Sequence, residues 1–397
     1  MKNSFPKLFI EISEPNITFC VGEDKDENNF KINYKITVAS SGIDNNSISN
    51  FENLFNIIKQ NIYIIEEKFN YTFTEVVLVL ENFNHHFINL SGFKKLNGSQ
   101  VLKENITYIL NKLKSYINRI YQKQTVIHIF NSKFNLDNKK IENLPIGLFG
   151  DFYSHELSFV LLQTNEYKNF KTIFDKCNLK IKRIFIKSFI EGANTSNKFI
   201  NMDTFFQIKI DNNKSKIFFF ENNALKSEQN FNFGSEIILR DISKITSLKI
   251  DVIKKIMNEV DFKEIAESDL LEEKYFKDNN YRKIKKKLIY DIAMARVKEI
   301  FELIIFNNIN FQYYFSRCKV IFLVFDEIND IKGLKEFYKL IFLSEDRLDA
   351  RLIEHSSSES INGTINKLVH FGWNKEAIPI TMSKKSLIAT FFDKIFS

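Results

Sequence analysis

Few groups of residues in this chain have the types and the spacing that catalysis or metal binding requires. The histidine groupings are His85-His86 and His155-Glu156, and neither has a third ligand at metal-binding spacing. Alternation along a strand also accounts for His155, so we interpret both groupings as structural. Asp326-Glu327 follows a short apolar run and could bind a metal, although a polar strand-to-helix turn explains these carboxylates equally well. The sequence therefore predicts no catalytic residue and no metal site.

The stretch 384–397 has the pattern of an amphipathic helix. On a helix its apolar side chains form one stripe, with Ser383 as a candidate N-cap and lysines towards the polar side or the ends. The part from Leu387 to Phe396 would be about 15 Å long, so such a helix lies on a bilayer and does not cross it. A helix docked on its own domain is the alternative. The residues that we predict to contact an anionic membrane surface are Lys384, Lys385, Leu387, Ile388, Phe391, Phe392, Lys394, Ile395 and Phe396.

Length and composition narrow the class of protein. The chain has 397 residues, which favours two or more cores, because single cores stop growing at about 250–300 residues. Hydrophobic residues make up 44% and charged residues 26%, so the protein is globular and not disordered. Only 11 glycines are available for phosphate-binding loops. The three cysteines are far apart without a CxxC pair, which excludes a disulfide framework or a cysteine zinc site and fits a reducing cytoplasm.

The net charge argues against a nucleic-acid-binding protein, and the short apolar runs argue against a secreted or membrane-spanning one. The net charge of +7 is a mild excess in a lysine-rich chain, and no aromatic-and-basic motif of the RNA-binding kind accompanies it. We therefore predict no nucleic-acid partner. The start of the chain has no apolar run of signal-peptide length, and no stretch of about 18 apolar residues could span a membrane. We expect a cytosolic protein whose membrane contact is limited to 384–397.

Two parts of the chain repeat the same order of elements. In the first, alternation over Phe9–Ile12, Ile17–Val21 and Phe30–Val38 predicts a three-strand meander, followed by a helix over Asn50–Phe69 and a buried strand over Val76–Leu80. About two hundred residues later, the corresponding runs are Phe199–Ile210, Lys214–Glu221, Leu225–Phe233, a helix from Glu236, the strand Lys319–Phe325 and the helix Lys332–Phe342. The duplication resembles the α/β architecture of actin and Hsp70, in which two duplicated domains hold a nucleotide in the cleft between them.

Each half carries an insertion. The first insertion contains a helix over Val101–Tyr121 and three strand-like runs, namely Thr125–Phe130, Phe134–Ile141 and Ser154–Leu162, whereas the second is mainly helical. The boundaries that we expect are 1–83 plus 163–197 for the first core (IA), 84–162 for the inserted subdomain (IC), 198–240 plus 307–372 for the second core (IIA), 241–306 for the helical subdomain (IIB), 373–383 for a linker and 384–397 for the amphipathic helix.

Several motifs resemble the FtsA family of bacterial cell-division proteins, the actin-like membrane tethers of the FtsZ ring. The second strand of the first meander ends in Val21-Gly22-Glu23, as the corresponding strand of the family does. Asn143–Gly150 resembles the Asn-Pro-x-Gly-Met-x-Gly segment of the subdomain that FtsA has in an unusual place, and Asn84–Leu162 has the length and position of that subdomain. Ala295–Ile300 resembles the Arg-x-x-Glu-Ile segment, and 384–397 resembles the membrane-targeting sequence. The resemblance covers nearly the whole chain.

The phosphate-binding loops are where the sequence departs from the family. The resemblance implies ATP and Mg²⁺ as cofactors, yet the three loops read Glu11–Glu14, Asn201–Phe206 and Phe325–Glu327 where the family has glycines. Side chains at these positions obstruct the approach of backbone amides to phosphates, and acidic ones repel a polyphosphate. We therefore expect weak or absent ATP binding and no hydrolysis. The degenerate loop positions are Glu11, Ser13, Glu14, Asp203, Thr204, Gly234 and Asp326.

The resemblance implies a scaffold and not an enzyme. Such a protein would lie on the inner face of the cytoplasmic membrane at the division site, polymerise head to tail and capture the C-terminal peptide of FtsZ in its helical subdomain. The basic run Arg282–Lys287 is either a solvated face or part of that groove, with Arg282 and Lys286 as candidates. The inserted subdomain would contribute to the polymer contact and meet later division proteins. The alternatives are an actin-like adaptor of pilus assembly and an ATP-dependent kinase or chaperone on the same fold.

Overall fold

The computed structural model describes residues 5–25, 30–199, 201–276, 281–325 and 331–377. Contacts between residues divide the chain into two compact units. The described residues of the first unit fall within Met1–Asp203, Phe220–Ser227 and Ser356–Ser397, and those of the second within Thr204–Phe219 and Glu228–His355.

The elements follow one another in mixed α/β order. The strands are β1 (Lys7–Ile12), β2 (Asn16–Asp24), β3 (Phe30–Ala39), β4 (Ile43–Asp44), β5 (Ser47–Ile48), β6 (Glu75–Leu80), β7 (His85–Lys95), β8 (Gln124–Leu136), β9 (Lys139–Ile141), β10 (Phe152–Gln163), β11 (Lys180–Ile186), β12 (Phe205–Ile210), β13 (Ser215–Glu221), β14 (Ala224–Phe231), β15 (Val320–Phe325) and β16 (Asp349–Ile353). The helices are α1 (Phe51–Phe69), α2 (Lys103–Ile120), α3 (Thr164–Lys176), α4 (Lys187–Lys198), α5 (Glu236–Thr246), α6 (Ile250–Glu259), α7 (Lys286–Ile304), α8 (Ile309–Phe315), α9 (Lys332–Leu343) and α10 (Ser358–Phe371), with a short 3-10 helix at Glu273–Phe276.

The sheet of the first unit has the strand order β11-β6-β1-β2-β3. β1 pairs antiparallel with β2 and parallel with β6, and β6 pairs parallel with β11. β6 is buried along almost its whole length, which explains why it reads as a continuous apolar run and not as an alternation. The helix α1, which connects the meander to β6, begins at Asn50, whose side chain accepts a bond from the amide of Asn53 at 3.0 Å. It ends where Asn70 adopts a left-handed φ of 45°.

The second five-stranded sheet repeats this topology. Its order is β14-β13-β12-β15-β16, so β12, β13, β14, β15 and β16 occupy the places of β1, β2, β3, β6 and β11. β15 pairs parallel with both β12 and β16, as β6 does with β1 and β11. The internal duplication that the sequence predicts is therefore confirmed in the strand order and in the parallel pairings.

The range 84–162 forms a sheet of its own, with the order β7-β10-β8-β9. The helix α2 covers one face of this sheet, and its Ile109 and Ile117 are buried in the apolar clusters between helix and strands. Gly92 on β7 permits the close approach, because a Cβ at this position would lie 2.4 Å from Cγ2 of Ile109. The inserted range thus has its own sheet-and-helix core, distinct from the five-stranded sheet.

Two predicted strands have different bounds. The run Phe134–Ile141 is not one strand but the end of β8 and all of β9, joined by a turn in which Asp137 and Asn138 have φ values of 50° and 64°. Asp and Asn tolerate this left-handed conformation better than other non-glycine residues. The run Phe199–Ile210 is shortened in the same way, because Asn201 has a φ of 65° and β12 begins only at Phe205.

The helix α10 belongs to the first unit, although the sequence groups it with the second core in 307–372. It packs against α4 and β3. Asn194 of α4 accepts bonds from the hydroxyls of Ser360 and Thr364 at 2.8 and 3.1 Å. The buried face of α10 includes polar residues such as Asn362, which is 7% exposed. Apolar periodicity predicts that a helix has a buried face but not which element covers that face, so this partner could not be predicted from the sequence.

The helical insertion of the second unit shares one core with its sheet. Ile253 and Ile256 of α6 and Ile289 and Val297 of α7 are fully buried in the same cluster as Ile321 of β15. Within the described ranges, no helix is both long enough and apolar enough to cross a membrane.

Candidate functional site

The turn between β1 and β2 is the first predicted phosphate loop. Ile12 pairs with Ile17, so the chain reverses within Ser13–Asn16. The amide of Ser13 donates to the carbonyl of Asn16 at 3.0 Å, and the Ser13 hydroxyl donates to the same carbonyl at 2.8 Å. Both donors of Ser13 are therefore occupied within the turn and do not point to a ligand.

Glu11 and Glu14 add acidic side chains to this turn. Glu11 forms an ion pair with Lys187, the first residue of α4. The pair links β1 to α4 inside the first unit, and the two side chains are 24% and 12% exposed. Glu14 brings a second carboxylate to the same hairpin. Two carboxylates at a phosphate-binding position oppose a polyphosphate electrostatically.

The second phosphate loop does not lie where the sequence predicts it. Because β12 and β13 occupy the places of β1 and β2, the equivalent turn is Asp211–Lys214, beyond the predicted positions Asp203 and Thr204. Those two residues precede β12, where the Asp203 carbonyl accepts from the amide of Asn223 at 2.8 Å and the Thr204 carbonyl accepts from Sγ of Cys318 at 3.3 Å. The assignment of Asp203 and Thr204 to the loop is wrong. The loop has no glycine, so only its place between two strands identifies it.

Gly234 lies at a point of close backbone approach, but the approach is internal. A Cβ at this position would lie 2.2 Å from the carbonyl oxygen of Asp211 and 2.5 Å from that of Asn212. The next two amides, of Ser235 and Glu236, donate to these same carbonyls at 2.9 Å each. The first amides of α5, which would otherwise need a capping partner or a ligand, are thus bonded to the turn between β12 and β13.

The described loops do not fit the nucleotide site that the resemblance implies. Both turns lack glycine, and the donors named above are bonded within the protein. Among the residues that the structure describes, no group of three His, Cys, Asp or Glu side chains could hold a metal ion. Asp326, the remaining loop position, lies outside the described residues. No nucleotide-dependent step follows from the loops that are described.

The two candidate residues for peptide capture lie at helix ends of the second unit. Arg282 is exposed, and its Nη2 donates to the carbonyl of Ser247, the C-cap of α5, at 3.2 Å. A cation at the C-terminal end of a helix interacts favourably with the helix dipole. Lys286 is the half-buried first residue of α7. Arg282 therefore already has a structural partner, and its guanidinium remains at the surface.

His85 and His155 each have a hydrogen-bond partner within the protein. Nδ1 of His85 lies 2.7 Å from the carbonyl oxygen of Phe83. His155 is buried on β10, with Nε2 at 2.9 Å from the side-chain oxygen of Asn131. Burial, with a smaller effect of nearby Lys375, lowers the pKa of His155 to about 3. His155 is therefore neutral and belongs to the interior of the inserted sheet.

The stretch Trp373–Ala377, which the sequence assigns to a linker, is docked on β8; we refer to it as the anchor segment. The amide of Asn131 donates to the carbonyl of Lys375 at 2.6 Å, and the amide of Ala377 donates to the carbonyl of Ile129 at 2.7 Å. These bonds form an antiparallel bridge along the edge of β8. The start of the predicted linker 373–383 is therefore wrong.

Glu376 holds the anchor segment through two buried partners. Its Oε2 accepts from Nη2 of Arg183 at 2.5 Å, and its Oε1 accepts from Nδ1 of His128 at 2.8 Å. The side chains of Glu376, Arg183 and His128 are 2%, 1% and 0% exposed. Arg183 also donates to the carbonyl of Leu368 in α10 at 2.8 Å. The guanidinium and the carboxylate thus neutralise each other away from water.

The charge states of this cluster follow from its burial and its bonds. Burial alone would raise the pKa of Glu376, but the Arg183 guanidinium and the bond from His128 lower it to about 2. Burial lowers the pKa of His128. Nε2 of His128 has no hydrogen-bond partner among the described residues. His128 is accordingly neutral and donates from Nδ1, with the rings of Phe130 and Phe189 centred 5.5 and 5.2 Å from its own.

The only tryptophan of the chain marks the anchor segment. Nε1 of Trp373 donates to the carbonyl of Asn223 at 2.7 Å, and its ring lies edge-on to Phe189 at 6.1 Å. A large aromatic residue inside a predicted linker is the one sequence signal that could have indicated docking. The chain beyond Ala377, with the predicted membrane-contacting side chains from Lys384 to Phe396, lies outside the described residues.

Comparison with known sequences identifies a distant relative. The chain is 21% identical over 259 residues to the cell division protein FtsA of Buchnera aphidicola subsp. Schizaphis graminum. The match covers 64% of this chain, and it spans about 60% of the length of that relative. No family model matches the chain. The chain is thus a distant homologue of FtsA.

Comparison with solved structures establishes the fold. The PilM-PilN type IV pilus biogenesis complex aligns with 93% of this chain and 97% of its own, at a TM-score of 0.54 and 9% identity. The fold is the actin-like ATPase fold with two RNase H-like sheets, and the predicted fold class is confirmed.

Millimolar ATP with Mg²⁺ should raise the melting temperature of this chain by less than about 1 °C. The free energy by which a ligand stabilises the folded chain depends on the ratio of its concentration to its dissociation constant. If the dissociation constant for ATP exceeds 1 mM, this stabilisation is less than about 0.4 kcal/mol. Differential scanning fluorimetry with and without 1 mM ATP checks this. A rise of several degrees, absent with AMP, would show that the loops bind nucleotide despite their bonded donors.

Replacing Glu376 with Gln should destabilise the first unit by roughly 3 kcal/mol, because it leaves the Arg183 guanidinium buried without a counter-charge. Urea unfolding followed by Trp373 fluorescence reports on the anchor segment itself, and circular dichroism reports on the whole chain. The control is Glu75→Gln, which removes an exposed pair with Lys182 and should cost less than about 1 kcal/mol. Equal unfolding midpoints for the two variants would contradict a stabilising role for the buried pair.

Stability should fall as the pH drops from 7 to 5, and His155 should account for part of the fall. The pKa of His155 is about 3 in the folded chain, below its ordinary value of 6.5, so the unfolded state binds the extra proton in this range. The loss should reach about 2 kcal/mol at pH 5 for this residue. Denaturant unfolding of His155→Gln should show a flatter pH dependence than the parent chain. Glu376 contributes to the loss of stability only below pH 4.5, the ordinary pKa that its carboxyl has in the unfolded chain. An identical slope in the variant would refute the assignment.

Proposed function

We propose that this chain is an actin-like cell-division scaffold that holds FtsZ filaments at the inner face of the cytoplasmic membrane. The observation that carries the proposal is the sequence relationship to FtsA over 259 residues. The repeated five-stranded sheets and the additional sheet of 84–162 agree with the architecture that the resemblance implies. The proposed role is structural and not enzymatic, and the bonded donors of the described loops are consistent with it.

Membrane attachment is the first part of the proposed mechanism. The apolar stripe of 384–397 would enter the lipid interface while its lysines face anionic headgroups. A single short amphipathic helix binds weakly, so several copies held in one polymer would bind through avidity. The anchor segment supports this part, because it fixes the chain to β8 only seven residues before Lys384.

Capture of FtsZ is the second part. A peptide with acidic residues would favour the basic run at the start of α7, where Arg282 and Lys286 lie. Since the guanidinium of Arg282 is exposed while bonded to one carbonyl, it has donors left for a carboxylate.

Polymerisation is the third part, in which head-to-tail contacts between copies produce an open filament when the rotation between subunits does not close. The inserted sheet would contribute to that contact and meet later division proteins.

The alternatives make different demands on the chain. An actin-like adaptor of pilus assembly would bind the tail of a membrane partner and would not need the amphipathic stretch 384–397. The similarity to the PilM-PilN complex concerns the fold alone. An ATP-dependent kinase or chaperone would need phosphate-facing donors, and those of the described turns are bonded internally. We therefore rank the scaffold first.

Liposome flotation with anionic vesicles and the cognate FtsZ tests the proposal. The full chain should carry FtsZ to the top of the gradient, whereas a chain ending at Ser386 and the double variant Phe391→Asp with Phe392→Asp should leave it at the bottom, because the apolar stripe is lost. If the full chain floats without FtsZ, the partner assignment is wrong. If the double variant floats like the parent, the stripe belongs to a protein core and the membrane assignment is wrong.

A second arm of the same experiment separates FtsZ capture from membrane binding. Arg282→Glu with Lys286→Glu should still float but should leave FtsZ behind, since a basic groove becomes acidic. The matched control reverses two exposed lysines of the same unit, Lys254→Glu with Lys298→Glu, and should retain FtsZ. Equal FtsZ recovery with both double variants would place the groove elsewhere.

A further inference from the structure

The outward side of α2 carries an unusual row of large exposed side chains. Tyr108, Tyr116 and Ile120 are 46%, 42% and 51% exposed, and they are spaced by eight and four residues along the helix. This spacing places them on one side of the helix, with Lys112 and Arg119 between them. We call these five residues the α2 outer face. The opposite side of α2 is buried on its sheet.

Cations of this region lie against the aromatic rings. Nζ of Lys94 is 4.6 Å and Nζ of Lys112 is 5.8 Å from the ring centroid of Tyr108. The guanidinium carbon of Arg119 is 5.8 Å from the ring centroid of Tyr116. Tyrosine presents an apolar body with a polar tip, and lysine and arginine combine an apolar stem with a charged head. Such side chains suit the boundary between lipid headgroups and acyl chains.

The positive charge of the chain is concentrated in the inserted subdomain. The range 84–162 contains ten Lys and Arg residues against five Asp and Glu, an excess of five within a chain whose total is +7. Within α2 itself the only acidic residue is Glu104, in the first turn. An anionic surface is therefore the electrostatic complement of this subdomain.

Ala377, the last described residue of the anchor segment, lies beside α2. Ala377 packs against the apolar cluster that includes Leu110 and Ile117 on the buried side of the helix. The nine residues 378–386 span at most about 30 Å, and α2 is about 27 Å long. A membrane-bound stretch beginning at Leu387 would therefore hold Ala377 within about 30 Å of the bilayer, a distance close to the length of α2.

We propose that the α2 outer face contacts the anionic membrane surface directly, as a second contact beside 384–397. This inference rests on the membrane attachment in the proposed function. Two contacts that are fixed to one sheet would orient the inserted subdomain on the bilayer, with α2 parallel to the surface. An acidic peptide would also complement the charge, but the short tether from Ala377 favours the membrane.

A fluorescent label tests the position of the α2 outer face. Bimane attached to Tyr116→Cys in a full chain with Cys177→Ser should shift to shorter wavelength on phosphatidylglycerol-containing vesicles and should be quenched by spin-labelled lipid. Cys20 and Cys318 are buried and should remain unlabelled. The matched control is Tyr63→Cys in the same background, on α1 of the same unit, where the tyrosine is 65% exposed. Its label should remain in water.

Charge reversal tests the energetic contribution of the face. Lys112→Glu with Arg119→Glu should weaken partitioning to phosphatidylglycerol-containing vesicles at least about tenfold and should not alter the negligible binding to phosphatidylcholine. The control is Lys59→Glu with Lys68→Glu, which reverses two exposed lysines that also lie against aromatic rings, on α1. The control should change partitioning less than about twofold.

The outcomes separate this inference from the function on which it rests. If the chain floats while the label at position 116 stays in water, the scaffold proposal stands and the face is not a membrane contact. If nothing floats, both proposals fail. The label at position 116 could already emit at short wavelength without vesicles. If Phe391→Asp with Phe392→Asp reverses that shift, then 384–397 covers the face and the inference is overturned. If charge reversal leaves lipid binding unchanged but weakens binding to poly-glutamate, the partner of the α2 outer face is an acidic peptide and not the membrane.

Discussion

The buried contact between Glu376 and Arg183 joins three parts of the first unit. Arg183 lies on β11 of the five-stranded sheet, His128 lies on β8 of the inserted sheet, and Glu376 lies on the anchor segment. A buried carboxylate is tolerated only where an opposite charge and hydrogen bonds replace its water. The two sheets and the anchor segment must therefore meet at one point. The further bond from Arg183 to Leu368 brings the end of α10 to the same place.

The phosphate-loop positions have structural partners within their own units. The turns between β1 and β2 and between β12 and β13 are in the places that the topology requires, but their polar groups are bonded within the protein. Gly234 is needed because the carbonyls of Asp211 and Asn212 pass close to it, and not because a phosphate does. Glu11 serves as the partner of Lys187. Each position therefore contributes to the stability of its own unit.

Much of the fold could be predicted from the sequence, because buried parallel strands and meanders leave apolar runs of definite length. The meander strands, the buried strands β6 and β15 and the inserted range followed from those runs, whereas the edge strands β11 and β16 were not predicted. The location of the second loop could not be predicted, since Asp211–Lys214 has lost the glycines that identify such a loop. The partner of α10 could not be predicted, because its buried apolar residues do not reveal which element covers them, and the docking of Glu376 depends on charged groups buried against each other. The loop position Asp326 and the stretch 384–397 are outside the described residues and stay predictions.

The antiparallel pairing of the anchor segment has a mechanical consequence. Any pull on the chain beyond Ala377 acts first on the bonds between this segment and β8 and on the ion pair of Glu376. Tension is then carried into β8 of the inserted sheet through the backbone bonds and into β11 of the five-stranded sheet through Arg183. A force on the chain beyond Ala377 is thus shared between the edge of β8 and β11, and the load at which the segment detaches is set by a few hydrogen bonds and one buried charge pair.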